Sequence, residues 1–206
     1  MNLRAFSRPL LLAVLAAPLV HAADKGMEGV PLVWKPTSTL AESMGAVNLL
    51  PLAGAKIWIQ PFSDSRDDKA LIAENQEKDQ PRPVTTRDDV AAFLGTHAVA
   101  LYKEAGLSFA SAPETATVTV RVEILRCMVT EKDTYKGELN LRIQVEAGGK
   151  PLWAGVVLGE ATRWGRSYKL ENYYEAISDS LVDAVGKSLK SDSFLAALAG
   201  KAAAAK

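Results

Sequence analysis

Apolar residues alternate most regularly in the second half of the chain. Val118, Val120, Val122 and Ile124 alternate with Thr119, Arg121 and Glu123, then the phase moves to Leu125, Cys127 and Val129. This predicts a long strand with a bulge near Leu125–Arg126. Leu139, Leu141, Ile143 and Val145 alternate with Glu138, Asn140, Arg142, Gln144 and Glu146, a strand with one packed face and one wet face. Gly148-Gly149 makes a two-residue hairpin turn, and Leu152–Gly165 returns as the next strand.

Earlier in the chain, Val30–Pro36 predicts an edge strand, because Pro31 and Pro36 cannot donate to a ladder. Lys56–Pro61 predicts a second strand. Residues 62–84 are rich in charge and predict a long polar loop, with at most one helical turn near Ala70–Asn75. Val90, Phe93, Leu94, His97, Ala98 and Leu101 recur at helical spacing; Thr86 is the expected N-cap and Gly106 the stop. Tyr174, Ile177, Leu181, Val185 and Leu189 form the stripe of a last helix, with Asp179, Asp183, Lys187 and Lys190 expected to face water and Phe194–Leu198 as a possible extension. The order β-β-α-β-β-β-α predicts an α+β fold: a mostly antiparallel sheet of about five strands with two helices packed on one face. It forms a single domain over 30–199, after a flexible start at 23–29 and before a disordered tail at 200–206.

The first 22 residues change the picture. Arg4 and Arg8 precede an apolar run from Leu10 to Val20, and Val20-His21-Ala22 suits a cleavage site. This predicts a signal peptide, 1–22, too short for a stable anchor. The expected location is periplasmic, with secretion as the alternative, and no transmembrane segment is expected after cleavage.

The 206 residues hold 24 Lys plus Arg and 24 Asp plus Glu. Without the two leader arginines, acids outnumber bases by two. That balance argues against capture of nucleic acid. Cys127 is the single cysteine, so no disulfide forms within the chain. His21 falls in the leader and leaves His97 alone, which excludes a multi-histidine zinc site. No metal or cofactor is expected.

Trp34-Lys35-Pro36, followed by KIWIQPFSDSR from Lys56 to Arg66 with its Asp64-Ser65-Arg66, resembles the YajG-like family of bacterial envelope lipoproteins. The element order is also similar from Val30 to Leu189. The resemblance implies the fold and an envelope location, and no agreed enzymatic role. The lipobox cysteine typical of that family is replaced here by Val20-His21-Ala22-Ala23, which implies release without a lipid anchor.

Several groups carry candidate chemistry. Asp64, Arg66 and Asp67 form a loop motif of unknown role; the carboxylates suit a hard cation, but the spacing lacks the glycine and distal glutamate of a calcium loop, so a solvated turn is the simpler reading. Asp64, Asp67 and His97 together would suit a hydrolase. Cys127, set among Leu125 and Val129, reads as a buried thiol. Trp153, Arg163, Trp164, Arg166, Tyr168 and Tyr173 suit a binding surface, the arginines contacting anions; the rings alternatively complete the core. The expectation is a non-enzymatic periplasmic module that binds an envelope protein or envelope component. The alternatives are a periplasmic hydrolase and a carrier for a small apolar ligand. Oligomeric state is open.

Overall fold

The computed structural model describes residues 26–165 and 167–201. Residues 1–25, Arg166 and residues 202–206, and with them the expected signal peptide and most of the expected tail, lie outside the described residues.

Three long strands form one side of the sheet: β6 (Val118–Glu131), β7 (Thr134–Ala147) and β8 (Lys150–Trp164), paired antiparallel in sequence order. The bulge in β6 falls between Ile124 and Arg126 as the phase shift predicts, and keeps Cys127 and Val129 buried. Gly148 and Gly149 both take positive φ, 54° and 75°, as a two-residue hairpin of this twist requires.

The other edge of β6 is filled by one stretch of chain in three pieces. β2 (Ile57–Ile59), β3 (Ser63–Asp64) and β4 (Leu71–Asn75) each pair parallel with successive parts of β6. β5 (Arg82–Thr86) pairs antiparallel with β4, and β1 (Met27–Val30) pairs parallel with β5. The fold is α+β, with eight strands in one mixed sheet rather than about five.

Two expectations are corrected here. The stretch 62–84 is not a loop: it contains β3, β4 and part of β5. Its flanks are charged, but Ile72, Ala73 and Val84 are fully buried. The apolar kernel is short, its connection to β5 at 76–81 is charged like its flanks, and its other partner, β6, is distant in sequence, so no alternation marks it. The strand expected at Val30–Pro36 ends at Val30, where Pro31 removes the next donor.

The helices lie on one face. α2 (Val90–Glu104) starts three residues later than expected: Asp89, not Thr86, is the N-cap and accepts from the Ala92 N–H at 2.9 Å. Thr86 instead closes β5. α3 (Leu170–Leu189) crosses β8 and β7, and α4 (Asp192–Leu198) is a separate helix capped by Ser191. The short α1 (Leu40–Met44), with a Thr39–Glu42 capping box, rests against α3. The Tyr102 hydroxyl of α2 meets Ser188 of α3 at 2.8 Å.

α3 sits unusually close to the sheet. A Cβ on Gly159 would lie 2.0 Å from the Ser180 carbonyl oxygen, and one on Gly137 would lie 2.4 Å from the Ser180 hydroxyl. Backbone contact at that range cannot be relieved by a rotamer change. Gly159→Ala is therefore expected to lower stability by about 1–3 kcal/mol, as overpacking does. Thermal melts would show it; an unchanged melting temperature would mean that α3 can lift off the sheet freely.

Candidate functional site

The polar residues that stand out in the sequence fall into three structural clusters and one open surface. The first cluster is centred on Arg66. β3 leaves β6 after Asp64, and β4 joins it again only for Ala73–Asn75. In that gap Arg66 replaces the missing ladder. Its guanidinium donates to the carbonyls of Cys127 at 3.2 Å, Leu71 at 2.7 Å and Lys69 at 2.7 Å, and it grips both oxygens of Asp64. Burial would raise the Asp64 pKa, but the hydrogen bonds and charge of Arg66 outweigh it and hold the carboxyl below its ordinary value. The Asp-x-Arg motif is thus a clamp. Asp67 is exposed, and Asp68 caps the turn by accepting from the Ala70 and Leu71 N–H groups.

The second cluster ties down an extended strap, residues 31–38, across α2 and α3. Trp34 stacks on His97 at 4.2 Å, with Phe93 at their edge. Burial lowers the His97 pKa. Asp88 accepts from the Leu32 N–H at 2.7 Å and Ser178 from the Lys35 N–H at 2.9 Å. Asp179 accepts from Thr37 (N–H 2.7 Å, hydroxyl 2.6 Å) and Ser38 (both groups 2.9 Å). Expected to face water, Asp179 is instead buried under the strap. Burial alone would raise its pKa; these donors bring it below the ordinary value. Arg163 bonds Glu175 at 2.7 Å and the Thr37 hydroxyl at 2.9 Å, so it belongs to the same fastening.

The third cluster surrounds the buried Glu131. Tyr173 donates its hydroxyl to one carboxylate oxygen, and the Ser167 and Tyr168 N–H groups donate to the other at 3.2 and 2.9 Å. Tyr168 carries φ 46°, and the Arg82 guanidinium lies 4.0 Å from its ring centre. Arg82 also donates to Asn75 at 2.7 Å. The cluster fixes the β8–α3 connection against the ends of β4 and β6.

These contacts disperse the expected binding surface. Tyr173 is fully buried and Tyr168 packs beside it. Trp153 donates its indole N–H to Ser193 at 3.0 Å and packs edge-on against Phe194. Trp164 is 87% exposed on the opposite face, eleven positions further along β8, or about 36 Å at a strand's rise. Only Trp164 of the set is a free surface ring. Asp64, Asp67 and His97 do not meet: the first belongs to the Arg66 clamp, His97 to the Trp34 stack, and none of the three lines any of the cavities found. No group of three or more His, Cys, Asp or Glu suited to a metal occurs among the described residues.

The apolar gap between sheet and helices, bounded by Ile57, Tyr102, Val120 and Phe194, holds about 10 Å³, no more than one water. A larger space of about 670 Å³ is an open groove between Trp58–Phe62 and the small side chains of α2. Neither is the closed cavity that a carrier requires.

The open surface is the second face of the sheet. All helices among the described residues lie on the other side, and β6 and β7 present three cross-strand ion pairs outward: Arg121–Glu146, Arg126–Glu138 and Arg142–Glu123. No helix among the described residues is long and apolar enough to cross a membrane.

No family model and no curated protein matches the sequence. Among solved structures, a Xanthomonas campestris protein of the DUF330 family shares the fold, with TM-score 0.52 and 8% identity over 81% of this chain and 90% of that one. PelC from Paraburkholderia phytofirmans, described as a dodecamer, is similar at TM-score 0.43 and 13% identity, over 66% and 85% of the two chains. Lipoprotein GNA1162 from Neisseria meningitidis gives TM-score 0.30 and 10% identity, over 52% and 83%. At such identities the likeness concerns the fold.

Arg66→Ala leaves Asp64 buried without its partner and three carbonyls without a donor. The expected loss is about 3–5 kcal/mol, measured by denaturant unfolding; a loss under 1 kcal/mol would show that the ladder gap needs no clamp. Asp179 has a lowered folded pKa, so its contribution is present above the ordinary aspartate value of 3.8 and is lost as pH falls through the folded value. Asp179→Asn should flatten the acid limb of the stability–pH curve between about pH 5 and 2. An acid limb identical to the wild type would rule this contribution out.

Proposed function

We propose that the protein is a non-enzymatic binding module of the bacterial cell envelope, of the YajG-like kind, that works in the periplasm. Its partner is another envelope protein, met by the outer face of the sheet near Trp164. The observation that carries this reading is the bareness of that face. Among the described residues, one side of the sheet bears every helix and the other bears none. At its end stands an exposed tryptophan, a ring type that favours contact surfaces. The arrangement of Arg66, Asp179 and Glu131 supports the same reading, because each is engaged in holding the fold. The fold shared with the DUF330 protein is consistent with it.

A photo-crosslinking residue at Trp164 or at Arg142, on the outer face, is expected to capture the same envelope protein in cells. The same probe at Lys190, on the helical side, should capture none. Capture from Lys190 alone, or no reproducible capture from either outer position, would overturn the reading.

A further inference from the structure

The outer face has one break in its pattern. Apart from the half-buried Met128, β6 and β7 present charged and polar side chains at its centre, but β8 presents Ala154, Val156 and Leu158, with Val156 52% and Leu158 50% exposed. β8 is also an edge: it pairs with β7 and with no other described strand. The apolar row therefore lies where the sheet ends.

The backbone of that edge is only partly open. The Leu158 carbonyl accepts from the Lys187 ammonium at 2.9 Å, and the Glu160 N–H donates to Asp183 at 2.9 Å. Lys187 is itself held by Asp183 at 2.8 Å and Glu160 at 3.1 Å. These contacts show that even-numbered residues of this stretch point their backbone groups away from β7. At the other end, Pro151 has no N–H, and the register slips between Trp153 and Pro151. Between the two guards lie Ala154 and Val156, whose N–H and C=O groups meet no partner among the described residues, and the N–H of Leu158.

We infer that this window pairs with the same window of a second copy, antiparallel and centred on Val156, giving a two-fold dimer with one continuous sheet. In that register Val156 faces Val156 of the second copy and Ala154 faces its Leu158. The free donors and acceptors then match, because the Leu158 carbonyl has a second lone pair for the Ala154 N–H. Each apolar row covers the other. Glu160 comes beside the bulge of the second copy, next to Lys150, a residue of opposite charge. A slip of two residues one way sets the Ala154 carbonyl against the Glu160 N–H that Asp183 already holds; a slip the other way runs into the bulge. The guards thus fix one register, and a two-fold contact of one patch with itself closes at two copies. The contact is short, so the dimer forms in proportion to concentration. This inference goes beyond the proposed partner reading and stands or falls without it.

Val156→Cys places two thiols across the axis, about 5.5 Å apart between Cα atoms, within reach of a disulfide or a short bis-maleimide. Thr162→Cys lies on the same edge beyond the guards, opposite a different residue, and serves as the control; the wild type, with Cys127 buried, is the blank. Crosslinked dimer is expected from Val156→Cys and not from Thr162→Cys. Val156→Lys, an exposed change that should leave the circular dichroism unaltered, sets like charges face to face and should abolish the dimer in sedimentation equilibrium. Equal crosslinking at both positions, a dimer that survives Val156→Lys, or a wild-type monomer at every concentration would overturn the inference. Capture of an envelope partner from Trp164 is read separately and is unaffected by these outcomes.

Discussion

The structure depends on how the second edge of β6 is filled. A long strand needs a partner along its whole length, and β7 supplies one on one side only. On the other side the chain provides three short parallel pieces with gaps between them. A buried carbonyl left in such a gap costs about 1–3 kcal/mol. Arg66 is suited to the task because its planar fork offers five donors and keeps its charge, so one side chain bonds a carboxylate and several carbonyls together. Lysine, with a single charged point, would not span the same acceptors. Once this edge is sealed, β4 and β5 follow, and α2 is aimed back over the face that β2 and β6 share.

The helical layer is held by a related device. The strap has no strand partner, so its backbone donors are met by side chains of the turn before α2 and of α3: Asp88, Ser178 and Asp179. Ser and Asp are poor choices for the middle of a buried helical stripe unless a partner arrives from outside the helix. Their presence in α3 is explained by the strap that crosses them. Arg163 extends the fastening to β8, so strap, helix and sheet edge are linked through one set of polar contacts. These bonds engage most of the groups that looked chemically interesting, leaving the outer sheet face as the accessible surface.

The sequence was most legible where the signal is local. The bulge in β6, the glycine hairpin, α2 and the stripe of α3 all follow from alternation, helical spacing and turn chemistry within a few residues. β4 was hidden because Leu71-Ile72-Ala73 is brief, its neighbours are charged, and one of its two partners, β6, is distant and parallel, a pairing that leaves no turn to read. The aromatic residues from Trp153 to Tyr174 are close in sequence, yet an extended strand carries Trp153 and Trp164 far apart and onto opposite faces. Asp179 was misplaced for the converse reason. Its spacing along α3 fits an outer face, and only the strap makes that face an interior. Asp179 had one sequence signature, an acid set within an otherwise apolar stretch of α3 where a charge has to find a partner, whereas Arg66 was masked by the charged residues around it.

A mixed sheet with a bare face has two edges to manage, and this one treats them differently. β1 is four residues long, too short to template much pairing. β8 is fifteen residues long and carries an apolar row, which left unguarded would invite open-ended addition of strands. Lys187 and Asp183 belong to α3, the helix that Gly137 and Gly159 allow close to the sheet. Because α3 is so near, its side chains reach over the edge and bond the strand's own backbone. A helix held further away would leave those groups open. The close approach therefore does more than fill the core: it sets how much of β8 remains available. Charged guards alone would protect the edge more simply if every residue between them were polar as well. Ala154, Val156 and Leu158 are not, and their exposure is best accounted for by an edge that is limited in length rather than closed.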